Sequence, residues 1–352
     1  MVCSDSGVFY SSFAVGPGKS SKYKKASFPL CLRGESPLEF SNPGWKRGKK
    51  WIMSMADNTE TEAGAVGDTP RTRTEALIHL LGDDDIDIRS QVWGHLEKLG
   101  EEALRSAEAA AEASDDPEVK KQAARFALEY RRREVFKEWL QFCRGAEPDL
   151  EAGFLLIARS EYPELDPLAC SGALDGFASE LDSRSSAAPG IDDRIASLSE
   201  LLSTEVGFRG NEEAYYEADN SYLNRLLETR LGIPISLSVL YLLVARRCAL
   251  PLHGVSLPRH FVLKFESLKG GKPIEMFLDP FHGGRQLTVR ECVELLESSG
   301  ESFRDEHLES VDDRAILCRV LGNLLNVYHS AKDRRRMNRV AAMLKLLQDP
   351  RD

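Results

Sequence analysis

From about Glu75 onward, apolar positions recur three and four residues apart through most of the chain, a spacing that places them on one face of a helix. Two stretches open alike, DDIDIRSQVWGHL from Asp84 and DDPEVKKQAARFAL from Asp115, a period of 31 residues. Each begins with acidic residues, which suit the positive end of a helix dipole, and then sets a branched apolar residue before a basic one. Helix pairs at this period are similar to HEAT-type repeats, which stack because one repeat cannot bury its apolar face alone. Two copies are too few for a free-standing array, so a helical layer over 75–145 is expected to pack on the domain C-terminal to it. Further helices are predicted from Asp149 to the Pro163 region, from Leu168 to Leu181, from Asp192 to about Ser203, and over 219–231.

The stretch GIPISLSVLYLLVARR, 232–247, reads as a turn that opens a buried helix near Ser236. After it the period drops from 3.6 to 2. GVSLPRHFVLKFES and PIEMFLDPF then read as two strands with KGGK between them. A hairpin centred on Lys269 and Gly270 sets Phe265 opposite Ile274, Lys264 opposite Glu275, Leu263 opposite Met276 and Val262 opposite Phe277. Every pair matches in chemistry, as cross-strand neighbours should. The same register puts His260 opposite Asp279. A carboxylate beside an imidazole fixes its tautomer and favours its charged form, which is the orienting half of a nucleophile–His–Asp constellation. Helices return beyond Thr288, and the last of them form a pair around a basic turn containing Lys332, Arg334, Arg335 and Arg336, read as a solvated face. The fold class is α+β, with helices on both flanks of a small antiparallel sheet.

Charge changes the picture at one end. The chain carries a net charge of −10, which argues against nucleic acid as its main partner, because neutralising phosphates takes a basic face. Residues 1–50 nevertheless hold nine Lys/Arg, three Asp/Glu and nine Ser, about +6, against about −16 for the rest. A Ser-rich, basic, acid-poor start without a compact apolar core is the composition of an organelle transit peptide. Scarce Arg with frequent Ser, Gly and Pro favours a plastid over a mitochondrion, with the cytoplasm as the alternative if the segment is only a disordered tail over 1–53. Residues 54–74 read as a linker. The seven cysteines are scattered, with no CxxC pair and no zinc-like spacing to histidines, so mostly buried reduced thiols are expected and no metal or cofactor. No apolar run is long enough to span a bilayer.

GIPISLSVLYLLVARR, LPLHGVSLPRHFVLKF and FLDPFHGG, with LEAGFLLIARSEYPELD upstream and ILCRVLGNLLNVYH downstream, resemble the SirB-type branch of the transglutaminase-like superfamily. The resemblance covers roughly Asp149 to Leu347. It implies a papain-like core over 149–290, with a cysteine at a helix start and a His and an Asp on successive strands. The His falls on His260 and the Asp on Asp279, as the hairpin register has them. Matching the superfamily's Gly before the nucleophile to Gly232, its helix-end Arg to Arg246 and its following Pro to Pro251 puts the nucleophile position at Pro234, which is inert. Cys248 lies about 18 Å along the helix axis and cannot substitute.

The nearest hydroxyl is Ser236, with Ser238 behind it. A serine at a helix start commonly caps a backbone N–H, and its alkoxide is less accessible than a thiolate. Asn224 and Arg230 match polar positions of the branch and are candidate binding residues. His253 and His282 have no evident partner in the sequence. The helices over 291–352 resemble a tetratricopeptide-type pair. The leading expectation is a non-catalytic transglutaminase-like module that binds a protein or peptide in an organelle. The rival is an amide hydrolase or acyltransferase using Ser236 with His260 and Asp279. A third reading is a helical adaptor that works through the N-terminal layer.

Overall fold

The computed structural model describes residues 73–185, 190–298 and 300–349. The transit segment expected over 1–53 lies outside the described residues, as does nearly all of the linker. The chain divides into two compact units, Met1–Ala76 and Leu77–Asp352, and the second carries the sheet and the candidate site. No described helix is long and apolar enough to cross a membrane.

After α1 (Arg73–Leu80) come α2 (Ile86–Leu99), α3 (Glu101–Ala113) and α4 (Pro117–Cys143). The repeated acidic openings are helix starts. The Asp85 carboxylate accepts from Asp87 N, and Asp116 accepts from Glu118 N and Val119 N, so the 31-residue period is a spacing of N-caps. The second opening leads into one continuous 27-residue helix rather than a helix pair. Its first half packs Ala123 and Phe126 against Leu96 of α2 and Ala107 of α3 in a small core. Its second half sends Val135, Trp139 and Cys143 into the main core. The Trp139 indole donates to the Met343 carbonyl at 3.1 Å, which ties this end to the last helix.

The main core surrounds α9 (Pro234–Arg247), which comes after α5 (Leu150–Glu161), α6 (Pro167–Ser185), α7 (Ile191–Ser199) and α8 (Leu223–Thr229). Every α9 residue from Pro234 to Ala245 is buried, as its all-round apolarity requires. A short parallel pair, β1 (Arg209–Gly210) with β2 (Leu231–Gly232), leads into it. The sheet itself has five antiparallel strands in the order β6-β5-β4-β3-β7. They are β3 (His253–Val255), β4 (Val262–Lys269), β5 (Lys272–Asp279), β6 (Arg285–Thr288) and β7 (Ser310–Val311). Leu263, Phe265 and Leu278 face the main core. Val262, Phe277 and Leu287 face a second core with Cys292 and Leu296 of α10 (Val289–Ser298).

Three features differ from the sequence expectation. First, β4 pairs Leu263 with Leu278 and Phe265 with Met276, two residues away from the predicted register. The turn centres on Gly270 and Gly271, with φ of +60° and +78°, because a two-residue type I′ turn needs the left-handed region at both positions. A slip of two leaves each side chain on its predicted face, and Lys264 still reaches Glu275 diagonally at 2.5 Å. Second, the sheet continues past residue 290. Strand β7 pairs with β3, and α11 (Asp313–Ser330) contributes Ile316, Leu317, Val320 and Leu321 to the main core, so the C-terminal helices share one packed body with the sheet. Third, the predicted basic turn lies mostly in the first turn of α12 (Arg334–Gln348) and is not simply solvated. Arg335 pairs with Glu129 of α4, while Arg336 and Arg339 pair with Glu161, a carboxylate buried at the end of α5.

Candidate functional site

The predicted strand GVSLPRHFVLKFES is broken by a turn, and that turn delivers His260. Pro258 and Arg259 occupy its centre, and His260 N donates to the Leu257 carbonyl at 3.2 Å. Arg259 has φ +62°, the conformation a type II turn demands after proline and one that costs a non-glycine residue about 1–2 kcal/mol. The same carbonyl accepts from Arg319 Nη2 of α11 at 3.3 Å, so a helix far along the chain braces the turn. His260 therefore stands two residues ahead of β4 and not within it.

Asp279 ends β5 and caps the 3₁₀ turn Pro280–His282, its Oδ1 accepting from Phe281 N at 3.1 Å. In a 3₁₀ turn, residues three apart eclipse one another. His282 is consequently brought back over Asp279, with its Nδ1 2.7 Å from Asp279 Oδ2. His260 Nε2 approaches the same oxygen at 2.9 Å. The next two glycines turn the chain away, Gly283 at φ +72° and Gly284 at +71°, and Gly284 N closes the loop on the Asp279 carbonyl at 2.9 Å.

Burial alone would raise the Asp279 carboxyl, but the hydrogen bonds and charge of His260 and His282 outweigh it and hold the group below its ordinary value. An ionised carboxylate only accepts, so the ring nitrogens facing it carry the protons, Nε2–H of His260 and Nδ1–H of His282. The His260 ring is largely covered, 16% exposed, whereas His282 is 50% exposed and Asp279 3%. Phe281 lies edge-on to His260 at 6.2 Å and to Tyr215 at 6.1 Å, and Tyr215 meets the exposed Tyr216 at 5.3 Å. An aromatic row thus leads from the imidazole pair to the surface.

Ser236 is placed differently from the sequence expectation. Ile233 is the N-cap of α9, Pro234 is the first helical residue, and Ser236 is the third. Its hydroxyl is fully buried, accepts from Ile233 N at 3.1 Å and lies 2.6 Å from the Asn220 carbonyl and 3.1 Å from that of Ile233. None of these bonds runs to His260. A Cβ at Gly232 would sit 2.8 Å from this oxygen, so the glycine makes room for it. Ser238 points its hydroxyl at the Phe261 carbonyl, 3.5 Å away. His260 and Asp279 are brought together as predicted, and Ser236 is not joined to them.

Asn224 is buried in α8, and its Oδ1 has no protein partner among the described residues. Arg230 is exposed at the C-cap of α8 with φ +61°, and its carbonyl accepts from Arg209 N at 3.0 Å, so it is the backbone at this position that ties α8 to β1. The third member of the cluster, His282, was missed in the sequence. Its signal was there in DPFH, an Asp before a Pro that starts a turn, with His three residues on. Four of the five described cysteines are buried and Cys318 is partly so. Burial pushes Cys143, Cys248 and Cys318 up to about 11 and Cys292 to about 12, and raises Cys170 as well.

Residues 169–322, which hold the buried helix start, His260 and Asp279, match the model of the transglutaminase-like superfamily. The domain belongs to that superfamily. Its relatives place it in the SirB-type branch. A UPF0162 protein of Xylella fastidiosa is 37% identical over 183 residues, covering 49% of this chain and 63% of that protein. F-box only protein 21 of Mus musculus is 37% identical over 137 residues, 38% of this chain and 21% of that one. Protein SirB1 of Salmonella typhimurium is 29% identical over 136 residues, 38% and 49% of the two chains. The chain thus spans less than two thirds of each of these relatives. No solved structure matches it.

Proposed function

We propose that the transglutaminase-like domain is a non-catalytic module that binds a protein or peptide. The observation that carries this reading is the commitment of the Ser236 hydroxyl. It is fully buried and bonded to Ile233 and Asn220, and none of its bonds runs to the imidazole that would have to activate it. Pro234, at the first helical position, has no nucleophilic group. What the site offers instead is an aromatic row that leads from the His260–Asp279 pair and surfaces at Tyr216 and His282. Aromatic side chains of this kind are enriched where proteins bind one another.

The test has two arms. A hydroxyl-directed fluorophosphonate probe is expected to leave the full-length chain unlabelled. Labelling that disappears in both Ser236→Ala and His260→Ala would establish the hydrolase or acyltransferase alternative and end this reading. In the second arm, peptides selected from a random library on the immobilised chain are expected to lose at least about tenfold in affinity on Tyr216→Ala, the loss of a contact of roughly 1.4 kcal/mol. Selected peptides indifferent to Tyr216→Ala and His282→Ala would move the binding surface elsewhere, to the helical layer of α2–α4.

The composition of residues 1–50 supports a plastid as the compartment. A fusion of residues 1–75 to a fluorescent protein is expected to be imported and processed by isolated chloroplasts. Import by mitochondria alone would reassign it.

A further inference from the structure

His260, Asp279 and His282 offer three metal-ligating atoms that all lie within 4.8 Å of one another. They converge tightly, since both imidazoles aim at a single oxygen, Asp279 Oδ2, from 2.9 and 2.7 Å. Orienting one imidazole needs only one of these contacts. The second ring is held there by the 3₁₀ turn and two left-handed glycines, a loop built to return His282 to the carboxylate. We propose that these three residues bind a single zinc-class divalent ion, with a fourth position left for water or a donor group of a bound partner.

The donor set fits the ion. Two imidazoles and one carboxylate are ligands that zinc takes at about 2.0–2.2 Å, and three protein ligands are the number found where a position stays open. Around a tetrahedral ion of that size, ligand atoms sit about 3.4 Å apart. His260 Nε2 and His282 Nδ1 would therefore each withdraw from Oδ2 by roughly half an ångström, a movement the half-exposed His282 ring has room for. The carboxylate is already anchored from behind, with Oδ1 on the Phe281 amide, which is the outer contact that ligating carboxylates use to stay oriented.

With the ion bound, His260 Nε2 and His282 Nδ1 would give their lone pairs to the metal in place of their contacts with Asp279 Oδ2. The metal site goes beyond the peptide-binding reading and does not depend on it.

The experiment uses the full-length chain, stripped with chelator and titrated with Co(II), followed by displacement with Zn(II). One equivalent of Co(II) is expected to give visible bands of a four- or five-coordinate N/O site, which Zn(II) bleaches. His282→Ala, His282→Gln and His260→Ala are each expected to weaken Co(II) at least about tenfold, with circular dichroism unchanged. His253→Ala and His307→Ala serve as controls and leave it as it was. Absence of the bands, or affinity equal in the wild type and both His282 variants, overturns the site. His282 is half exposed, so its variants test the ligand without testing the fold. The titration contains no peptide, so its outcome and that of the peptide selection are read separately.

Discussion

Replacing Ser236 by Ala separates a structural hydroxyl from a catalytic one. The side chain is 0% exposed, and its oxygen serves two backbone groups, the Ile233 N–H at 3.1 Å and the Asn220 carbonyl at 2.6 Å. Alanine leaves both without that partner in a place water does not reach. An unsatisfied buried polar group costs about 1–3 kcal/mol, so two of them, partly relaxed, predict a loss of about 2–4 kcal/mol. An exposed serine changed to alanine stays within about 0.5 kcal/mol. For a body of this size the loss corresponds to a fall in Tm of roughly 4–16 °C. Urea unfolding followed by circular dichroism, with wild type and variant at equal m, measures it. A change below about 0.5 kcal/mol would refute the argument, because the hydroxyl would not then be holding the helix start. The prediction bears on function too, since a hydroxyl that pins Ile233 to Asn220 cannot swing to His260 without giving those bonds up.

Three further outcomes rest on the same geometry. Gly210→Ala would set a Cβ 2.6 Å from the Phe281 ring, and overpacking of this kind costs about 1–3 kcal/mol. Because Phe281 lies between Asp279 and His282, the variant should also shift the imidazole resonances of both histidines in NMR spectra, and an unshifted spectrum would contradict the packing. Burial raises the Glu151 carboxyl, but hydrogen bonds from Arg247 and Ser171 outweigh it and hold the group below its ordinary value. With its folded value depressed, Glu151 contributes stability that is complete above the unfolded carboxylate range, about pH 4–5, and is lost as pH falls through the lower folded value. Glu151→Gln should therefore flatten the acid limb of stability against pH, and an identical limb in both proteins would refute it. The buried thiols of Cys143, Cys170, Cys248 and Cys292, and that of the half-buried Cys318, are all pushed up by burial. Peptide mapping after brief iodoacetamide treatment at pH 7.5 should find them unmodified until denaturant is added.

Much of this molecule was set by local sequence. The N-caps at Asp85 and Asp116, the burial of α9 and the alternation that gives each β4 and β5 residue its face all depend on neighbours within one turn or one strand. The predicted register missed by two, yet the face assignment survived, because a strand repeats every two residues. The pairing of His260 with Asp279 was likewise legible, though the break at Pro258 and Arg259 was not, and it is the turn rather than the strand that carries the imidazole.

Tertiary structure decided the rest, wherever a side chain's partner came from elsewhere in the chain. The state of Ser236 depends on the carbonyl of Asn220, sixteen residues earlier. The turn under His260 is braced by Arg319, whose contact with the Leu257 carbonyl spans 62 residues. The basic start of α12 is tied to a buried carboxylate because Glu161 lies at the end of α5, 175 residues before Arg336. His282 is the instructive case, for its partner was three residues away and still unread. DPFH marks a turn, but that the turn is 3₁₀, which brings residues three apart together, depends on the sheet that ends at Asp279. Sequence determines what each residue can offer over a few ångströms of its own chain. Packing alone determines which of those offers are taken up, because a hydroxyl, an imidazole or a guanidinium has its role fixed by whatever the fold brings within about 3 Å of it.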